Sequence, residues 1–285
     1  MTHTAPRIKP PVPYFGSKGT LAPWIVSLLP AHEHYVEPFA GSLAVLLAKQ
    51  PSRMETVNDL DRRLMTFWRV LRDQPDDLLR AVCLTPHSRA ELDAANEPAD
   101  TDLETARRVW VRLTQSRSAT LRKTGWRHYI DPAGCSTSMP GYLDGYRDRL
   151  APAAERLMRV SLECRPALEI IAAYGSRPGV LLYVDPPYLG TARGWGNSQY
   201  QHEMQTGEQH RELAEALWEC ASTVVLSGYD SPLYEELYDG WHREQACAST
   251  GNGSEGTRAR TEILWSNRPL SRQMTLELGR EGQAA

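Results

Sequence analysis

A chain of 285 residues that is 41% hydrophobic and 24% charged can bury the core of one large domain, which excludes global disorder. No apolar stretch is long enough to cross a bilayer, and the opening MTHTAPRIKPPVPYFG lacks the apolar centre of a secretory signal. The five cysteines are scattered without a CxxC pair, so we expect a reducing, cytoplasmic setting and neither a disulfide framework nor a zinc site.

The first quarter of the chain alternates helices with strands. The sequence predicts a helix over 20–29, a strand over 34–38, a helix over 43–49, a strand over 54–58 and a helix from 61 to about 73. In the last helix Leu64, Phe67, Trp68 and Leu71 recur at spacings of three and four, which places them on one face. This order predicts an α/β fold with a Rossmann-like, doubly wound sheet.

The alternation stops between residues 76 and 159, which have a mainly helical pattern and a Gly-, Pro- and Ser-rich stretch at 131–141. It resumes with a strand over 180–184, a polar loop over 189–207, a helix over 208–221, a strand over 223–226, a helix over 231–238, a loop over 251–256 and a strand over 261–265. We therefore expect one α/β domain, residues 1–75 and 160–285, interrupted by a helical insertion over 76–159.

Positive charge is concentrated inside this insertion, although the whole chain carries a net charge of -3. The segment RRVWVRLTQSRSATLRKTGWR, residues 107–127, has seven basic residues and no acidic one. A basic patch on an otherwise acidic body favours contact with a polyanion. The alternative is a solvated helix face.

Two elements near the start have the form of a nucleotide-binding site. The segment HYVEPFAG runs from a strand into a small-residue turn, where Gly41 would let a ligand approach the backbone. Asp59 ends the next strand, where a carboxylate can accept hydrogen bonds from ribose hydroxyls. The alternatives are an ordinary turn at Gly41 and a helix N-cap at Asp59 or Asp61.

The tetrapeptide Asp185-Pro186-Pro187-Tyr188 follows directly on a predicted buried strand, where α/β proteins bind their ligands. The prolines stiffen the backbone and remove two N–H donors. What remains is a carboxylate, a carbonyl and an aromatic ring. This combination suits an exocyclic amino group on a flat heterocycle, with Tyr188 stacked on its face.

Seven segments, in this order, resemble the Dam-like (alpha-class) family of DNA adenine N6-methyltransferases that carry a DPPY motif. They are PYFGSKG at 13–19, VEPFAG at 36–41, VNDLD at 57–61, YVDPPY at 183–188, EQHRELAEAL at 208–217, VVLSGYD at 224–230 and RTEILW at 260–265. The resemblance spans nearly the whole chain. It implies transfer of a methyl group from S-adenosylmethionine, leaving S-adenosylhomocysteine, to N6 of a flipped adenine in double-stranded DNA, without a metal.

The resemblance also implies roles for individual residues. The expected cofactor-binding residues are Tyr14, Phe15, Gly16, Lys18, Glu37, Pro38, Phe39, Ala40, Gly41, Ser42, Asp59 and Asp185. The expected catalytic residues are Asp185, Pro186, Pro187 and Tyr188, of which Asp185 and the Pro186 carbonyl would hold the target amine. The insertion would be the target-recognition domain, with DNA contacts from Arg108, Arg112, Arg117, Arg122, Lys123, Trp126 and Arg127.

One position departs from the family pattern, because Leu43 stands where a second glycine is usual, and we expect a more helical turn there. Motif chemistry alone leaves open a cytosine-N4 DNA methyltransferase, a methyltransferase acting on RNA or protein amino groups, and a catalytically silent DNA-binding protein. We expect a monomer or weak dimer without membrane contact, and a separate restriction nuclease or defence-system subunits as further partners.

Overall fold

The computed structural model describes residues 7–130, 137–188, 204, 206–248 and 260–271. The strands are β1 (His34–Glu37), β2 (Met54–Asn58), β3 (Ser161–Glu163), β4 (Val180–Val184), β5 (Thr223–Tyr229), β6 (His242–Ala248) and β7 (Arg260–Ser266). The helices are α1 (Ala22–Leu28), α2 (Ala44–Ala48), α3 (Arg62–Asp73), α4 (Pro75–Cys83), α5 (Arg89–Ala94), α6 (Asp102–Gln115), α7 (Met139–Arg147), α8 (Leu150–Leu157), α9 (Ala167–Gly175), α10 (Gly207–Trp218) and α11 (Pro232–Leu237).

The strands form one seven-stranded sheet in the order β3-β2-β1-β4-β5-β7-β6. The first five strands of this order are parallel, whereas β7 runs antiparallel to both β5 and β6. The strand order reverses between β1 and β4, which lie side by side. In open α/β sheets a crevice forms outside the carboxyl ends of the strands at such a reversal, and ligands bind there.

Both faces of the sheet are covered by other parts of the protein. Successive side chains of a strand point to opposite faces, so a central strand packs on both sides. On β4, Leu181 and Tyr183 pack in one apolar cluster, while Val180, Leu182 and Val184 pack in the other. All five side chains are buried. A strand buried on both faces has a continuous apolar sequence, which is why VLLYV was predictable as a central strand.

Helices α4 to α8 form the segment expected to be an insertion, and their apolar side chains join the same cluster as one face of the sheet. Trp110 of α6 and Leu150 of α8 are fully buried there with Trp68 of α3. Arg156 of α8 also donates to Glu55 of β2 over 2.7 Å. The helical segment therefore shares a core with the sheet.

The predicted mixed α/β sheet is confirmed, and the strands over 34–38, 54–58, 180–184 and 261–265 are present within two residues at each end. The strand predicted to end at 226 continues to Tyr229. Strands β3 and β6 and helix α9 were not predicted. The predicted loop over 251–256 and residues 131–136 lie outside the described residues, as does most of the loop over 189–207. None of the described helices is both long and apolar enough to span a membrane.

Candidate active site

The turn after β1 is held by a buried carboxylate. Glu37 Oε1 accepts hydrogen bonds from the Tyr35 hydroxyl over 2.6 Å and from the Leu46 N–H over 2.9 Å. Burial raises the Glu37 pKa from its ordinary value of 4.5 to about 8, although both hydrogen bonds oppose the rise. Glu37 therefore ties the end of β1 to helix α2 and is mainly uncharged at neutral pH.

Two residues of this turn have a left-handed backbone. Gly41 has φ 47°, and a Cβ there would lie 3.4 Å from the Tyr14 ring. Leu43 has φ 56° and ψ 30° at the N-cap of α2, so the expectation of a more helical turn is wrong. Leucine in this region costs about 1–2 kcal/mol relative to the right-handed conformation. The Leu43 side chain is fully buried in the core, so its packing offsets this cost.

The two acidic residues that follow β2 have different roles in the structure. Asp61 is the N-cap of α3 and accepts from the N–H groups of Arg63 and Leu64. Asp59 instead joins two turns, since its Oδ2 accepts from the Gly41 N–H over 3.0 Å and its Oδ1 from the Asp61 N–H over 2.9 Å. Asp59 thus fixes the glycine turn of β1 against the end of β2.

A cavity of about 430 Å³ opens at the carboxyl ends of β1, β2 and β4, where the strand order reverses. Every residue expected to bind the cofactor lines it: Tyr14, Phe15, Gly16, Lys18, residues 37–42, Asp59 and Asp185. Sequence reasoning missed a further part of the wall, formed by Pro166, Ala167 and Leu168 at the start of α9 and by Gln209, Glu212 and Leu213 of α10. The wall residues at the start of α9 could not be predicted, because the sequence analysis had identified neither β3 nor α9.

Asp185 stands at the end of β4 with one carboxylate oxygen fully engaged by the protein. Its Oδ1 accepts from Lys18 Nζ over 2.8 Å and from the Ser227 hydroxyl over 2.9 Å, and the Tyr188 hydroxyl lies 3.0 Å from it. No hydrogen bond reaches Oδ2 from the residues that the structure describes. The side chain is 19% exposed and borders the cavity, so Asp185 combines a fixed orientation with one available acceptor.

The ring of Tyr188 is turned inward in this structure. Tyr188 is only 8% exposed, and Lys18 Nζ lies 4.7 Å from the ring centroid. Its hydroxyl lies 2.6 Å from Glu262 Oε1 and 3.0 Å from Asp185 Oδ1, so the two carboxylates share its one proton. Tyr229 packs edge-on against it at 4.5 Å. Pro187 lines the cavity, whereas Pro186 is buried. Stacking of Tyr188 on a substrate ring would therefore require one face to be uncovered.

Two polar residues of this network were not among the expected site residues, although both lie in segments that carry the family resemblance. Ser227 lies on β5 beside β4, and Glu262 lies near the start of β7. Because β7 runs antiparallel to β5, its first residues, not its last, reach the edge where the parallel strands end. The available signal was a single carboxylate inside the apolar strand TEILW, which indicates a buried charge with a partner.

The comparisons with known proteins agree with this geometry. The sequence profile of the D12 class of N6 adenine-specific DNA methyltransferases matches residues 14–108 and 143–250. The chain belongs to this family. It is therefore an enzyme, a site-specific DNA methyltransferase that acts on adenine, and membership implies a methyl donor of the S-adenosylmethionine type. The resemblance inferred from the motifs is confirmed.

Two curated relatives match most of this methyltransferase. The Type II methyltransferase M1.LlaDCHI of Lactococcus lactis subsp. cremoris is 26% identical over 91% of this chain and 95% of its own. The retron Ec67 DNA adenine methylase of Escherichia coli is 26% identical over 87% of this chain and 88% of its own. A solved precorrin 8w decarboxylase of Methanobacterium thermoautotrophicum aligns over 91% of this chain and 94% of its own. Its sequence identity is 9% and its TM-score is 0.38, which is too low to indicate a shared fold.

The basic segment of the methyltransferase divides into buried and exposed parts. Arg112 is only 6% exposed and donates to the Leu121 carbonyl. Burial lowers its pKa from 12.5 to about 10, and the nearby Arg63 adds to the effect. Arg108 pairs with Glu104 over 2.7 Å, and Arg127 donates to the Ser116 carbonyl over 3.1 Å. In this structure all three guanidinium groups are bound by other groups of the protein.

Trp126 is also engaged within the protein. His87 and His128 stack against its ring at centroid distances of 4.5 and 5.0 Å, and the Arg89 guanidinium lies 4.9 Å from the centroid. Arg117 and Lys123 are exposed and Arg122 is half-buried, and Arg117 Nε also donates to the Trp126 carbonyl over 3.3 Å. The loop that bears them also reaches the cavity wall, since the Phe15 N–H donates to the Ala119 carbonyl over 2.9 Å. Arg117, Arg122 and Lys123 are thus the members of the predicted DNA-binding set best placed to meet a ligand.

A metal centre has no support in the described part of the chain. No three His, Cys, Asp or Glu side chains there are grouped to hold a metal ion.

Proposed function

We propose that the cavity binds S-adenosylmethionine and releases S-adenosylhomocysteine, and that Asp185 and the Pro186 carbonyl hold N6 of the target adenine. The observation that carries the proposal is the arrangement at Asp185. Lys18 and Ser227 donate to Oδ1, the Tyr188 hydroxyl lies within hydrogen-bond distance of the same oxygen, and Asp185 lines a cavity bordered by both motif turns. A carboxylate held in this way can accept an N–H of the amine without reorganising during the reaction.

The residues around the cavity fit this cofactor. A volume of about 430 Å³ lies within the usual range for small-molecule sites, roughly 300–1,000 Å³. Gly41 leaves the turn without a side chain at a point where a Cβ would already touch Tyr14. Asp59 carries two carboxylate oxygens at the cavity wall, and each can accept a second hydrogen bond from a ribose hydroxyl. When bound, the cofactor supplies an activated sulfonium methyl group.

The protein's task is then to activate a poor nucleophile. The N6 lone pair of adenine is delocalised into the ring, and hydrogen bonds from its two N–H groups to Asp185 and to the Pro186 carbonyl would return electron density to nitrogen. The N6 amine held by these acceptors would take up the methyl group that the cofactor supplies, the bonding electron pair would stay with the departing S-adenosylhomocysteine, and the proton that N6 gives up would pass to solvent. Asp185 stabilises the positive charge that develops on nitrogen during this transfer.

The adenine reaches the site only if it leaves the duplex, because N6 is inaccessible in stacked, paired DNA. We propose that residues 76–159 are the target-recognition insertion and that Arg117, Arg122 and Lys123 contact phosphates of double-stranded DNA. These contacts offset unstacking and unpairing, which cost a few kcal/mol. Tyr188 would stack on the flipped base after one face of its ring is uncovered.

We also propose a cellular role beside a separate restriction nuclease or within a defence system. One relative is named a Type II methyltransferase and another a retron DNA adenine methylase. The protein would work in the cytoplasm as a monomer or weak dimer. Digestion of host DNA by cognate nucleases before and after expression of the methyltransferase tests this role, since methylated recognition sites resist cleavage.

The decisive experiment combines wild-type protein with Asp185→Ala, labelled S-adenosylmethionine and unmethylated DNA, followed by nucleoside analysis. We expect N6-methyladenine from the wild type and none from the variant, although the variant should still bind the cofactor through the rest of the cavity wall. Asp239→Ala, an exposed aspartate on the turn before β6, is the matched control and should methylate normally. Turnover by Asp185→Ala would refute the role assigned to Asp185. Methylation of RNA but not DNA would show that the substrate is RNA.

A further inference from the structure

Glu262 is a buried carboxylate that the reaction described above does not use. It is 3% exposed on β7, and its Oε1 lies 2.6 Å from the Tyr188 hydroxyl and 3.6 Å from Lys18 Nζ. The same ammonium lies 2.8 Å from Asp185 Oδ1. One cation therefore stands between two carboxylates, in a part of the protein where unpaired charges are costly.

The number of charges matters for the target amine. If Lys18 and Asp185 stood alone, their charges would cancel, and the amine would meet a neutral ion pair as it became positive. A second carboxylate beside Lys18 leaves the group of three with a net negative charge. Coulombic attraction between opposite charges a few ångströms apart is strong in a site that excludes water, so this excess charge favours the cationic transition state.

The hydrogen bonds give Glu262 a second effect. The Tyr188 hydroxyl lies between Glu262 Oε1 and Asp185 Oδ1, at 2.6 and 3.0 Å. Its position therefore depends on both carboxylates, and the aromatic ring that borders the target base is oriented by a residue from another strand. Ser227 completes the arrangement by donating to the same Oδ1 over 2.9 Å.

We propose that Glu262 is a positioning residue for methyl transfer, which balances the Lys18 ammonium and anchors Tyr188 so that the Asp185 carboxylate keeps its negative charge for the target amine. This inference rests on the proposed function of Asp185. Glu262 acts through Lys18, Tyr188 and Asp185, and it need not touch the substrate.

Ionisation of Glu262 gives the proposal a pH signature. Burial raises the Glu262 pKa above its ordinary value, Lys18 opposes the rise and Asp185 adds to it. The other ionisable groups facing it are Tyr188 and Tyr183, with Tyr229 opposite on β5. The pKa values of Tyr188 and Tyr183 are raised well above 10, so these hydroxyls stay neutral at neutral pH. The rate should therefore rise with pH as Glu262 loses its proton.

The test compares single-turnover methylation by the wild type, Glu262→Gln, Glu262→Asp and Asp185→Ala across about pH 5–9, together with cofactor binding. Glutamine keeps the acceptor for Tyr188 and removes the charge. We expect Glu262→Gln to slow methyl transfer by about tenfold or more and to lose the rise with pH, while cofactor affinity changes by less than about twofold. Glu262→Asp keeps the charge, so it should keep the rise with pH and be faster than Glu262→Gln.

Each contrary result has a distinct meaning. Normal rates for Glu262→Gln beside an inactive Asp185→Ala would overturn the role of Glu262 and leave the proposed function intact. Turnover by Asp185→Ala would instead contradict the proposed function itself. If Glu262→Gln does not fold, Glu262→Asp decides the question, because a pH-independent rate in that variant would also overturn the proposal.

Discussion

Glu37→Gln should make the protein more stable at alkaline pH, because the native carboxyl of Glu37 is held uncharged. Burial displaces its pKa from 4.5 to about 8. Each tenfold change in proton affinity corresponds to about 1.4 kcal/mol, so this displacement corresponds to about 5 kcal/mol of pH-dependent stability. Glutamine can still accept from the Tyr35 hydroxyl and the Leu46 N–H, and it carries no charge at any pH.

The sign follows from where the proton binds more tightly. Between pH 4.5 and about 8 the folded protein holds a proton on Glu37 that the unfolded chain has released. The contribution of Glu37 is therefore fully present below 4.5 and is lost as the pH rises to about 8, where the native carboxyl also ionises. The free energy of unfolding of Glu37→Gln, relative to the wild type, should increase over that interval by up to about 5 kcal/mol.

Urea unfolding followed by tryptophan fluorescence, measured at several pH values from about 5 to 9, gives this difference directly. Glu236→Gln is the matched control, because Glu236 is exposed and its bond from Arg211 lowers its pKa. The control should differ from the wild type by the same amount throughout that range. Parallel stability curves for Glu37→Gln and the wild type would refute the reasoning, since Glu37 would then be charged in the folded protein.

Two further predictions test the turn and the basic loop. Leu43→Gly and Leu43→Ala should both lower the free energy of unfolding by about 2–5 kcal/mol, because each removes a buried side chain. Glycine relieves the strain of the left-handed backbone, so Leu43→Gly should be more stable than Leu43→Ala by about 0.5–1 kcal/mol. The opposite order in urea unfolding would show that the backbone at Leu43 is not strained. Arg117→Ala should reduce the slope of log affinity for DNA against log salt by about 0.9. Arg53→Ala, an exposed arginine just before β2 at the other edge of the sheet, should leave that slope unchanged, and equal slopes for both variants would remove Arg117 from the interface.

The centre of the fold was predictable because its strands are buried on both faces. The apolar run VLLYV and the short strands before residues 38 and 59 mark the middle of the sheet, and parallel strands bring their carboxyl ends to one edge. The sequence alone therefore predicts that Asp59 and Asp185 belong to a common site. The cavity they share is lined by every residue expected to bind the cofactor.

The edge strands were not predictable by the same reasoning. Strand β3 has three residues, none fully buried, and the polar sequence HREQACA of β6 lacks a clear alternation. Such strands form because a neighbouring strand offers unpaired backbone N–H and C=O groups. That neighbour is known only from the tertiary structure, so the local sequence does not reveal the strand. The antiparallel direction of β7 is of the same kind, and without it Glu262 cannot be placed beside Lys18.

The basic segment shows why a count of charges does not define an interface. The sequence prediction assigned six of the seven positive residues of 107–127 to DNA contacts, although α6 directs Arg112 into the core and sets Arg108 four residues after Glu104. A guanidinium that holds the Leu121 carbonyl shapes the loop without meeting a phosphate. The exposed Arg117 and Lys123 can meet one, and their loop is bonded through Ala119 to Phe15 at the cavity wall. Buried arginines thus support the surface that we propose binds DNA, and we expect a substitution in either group to weaken DNA binding for a different physical reason.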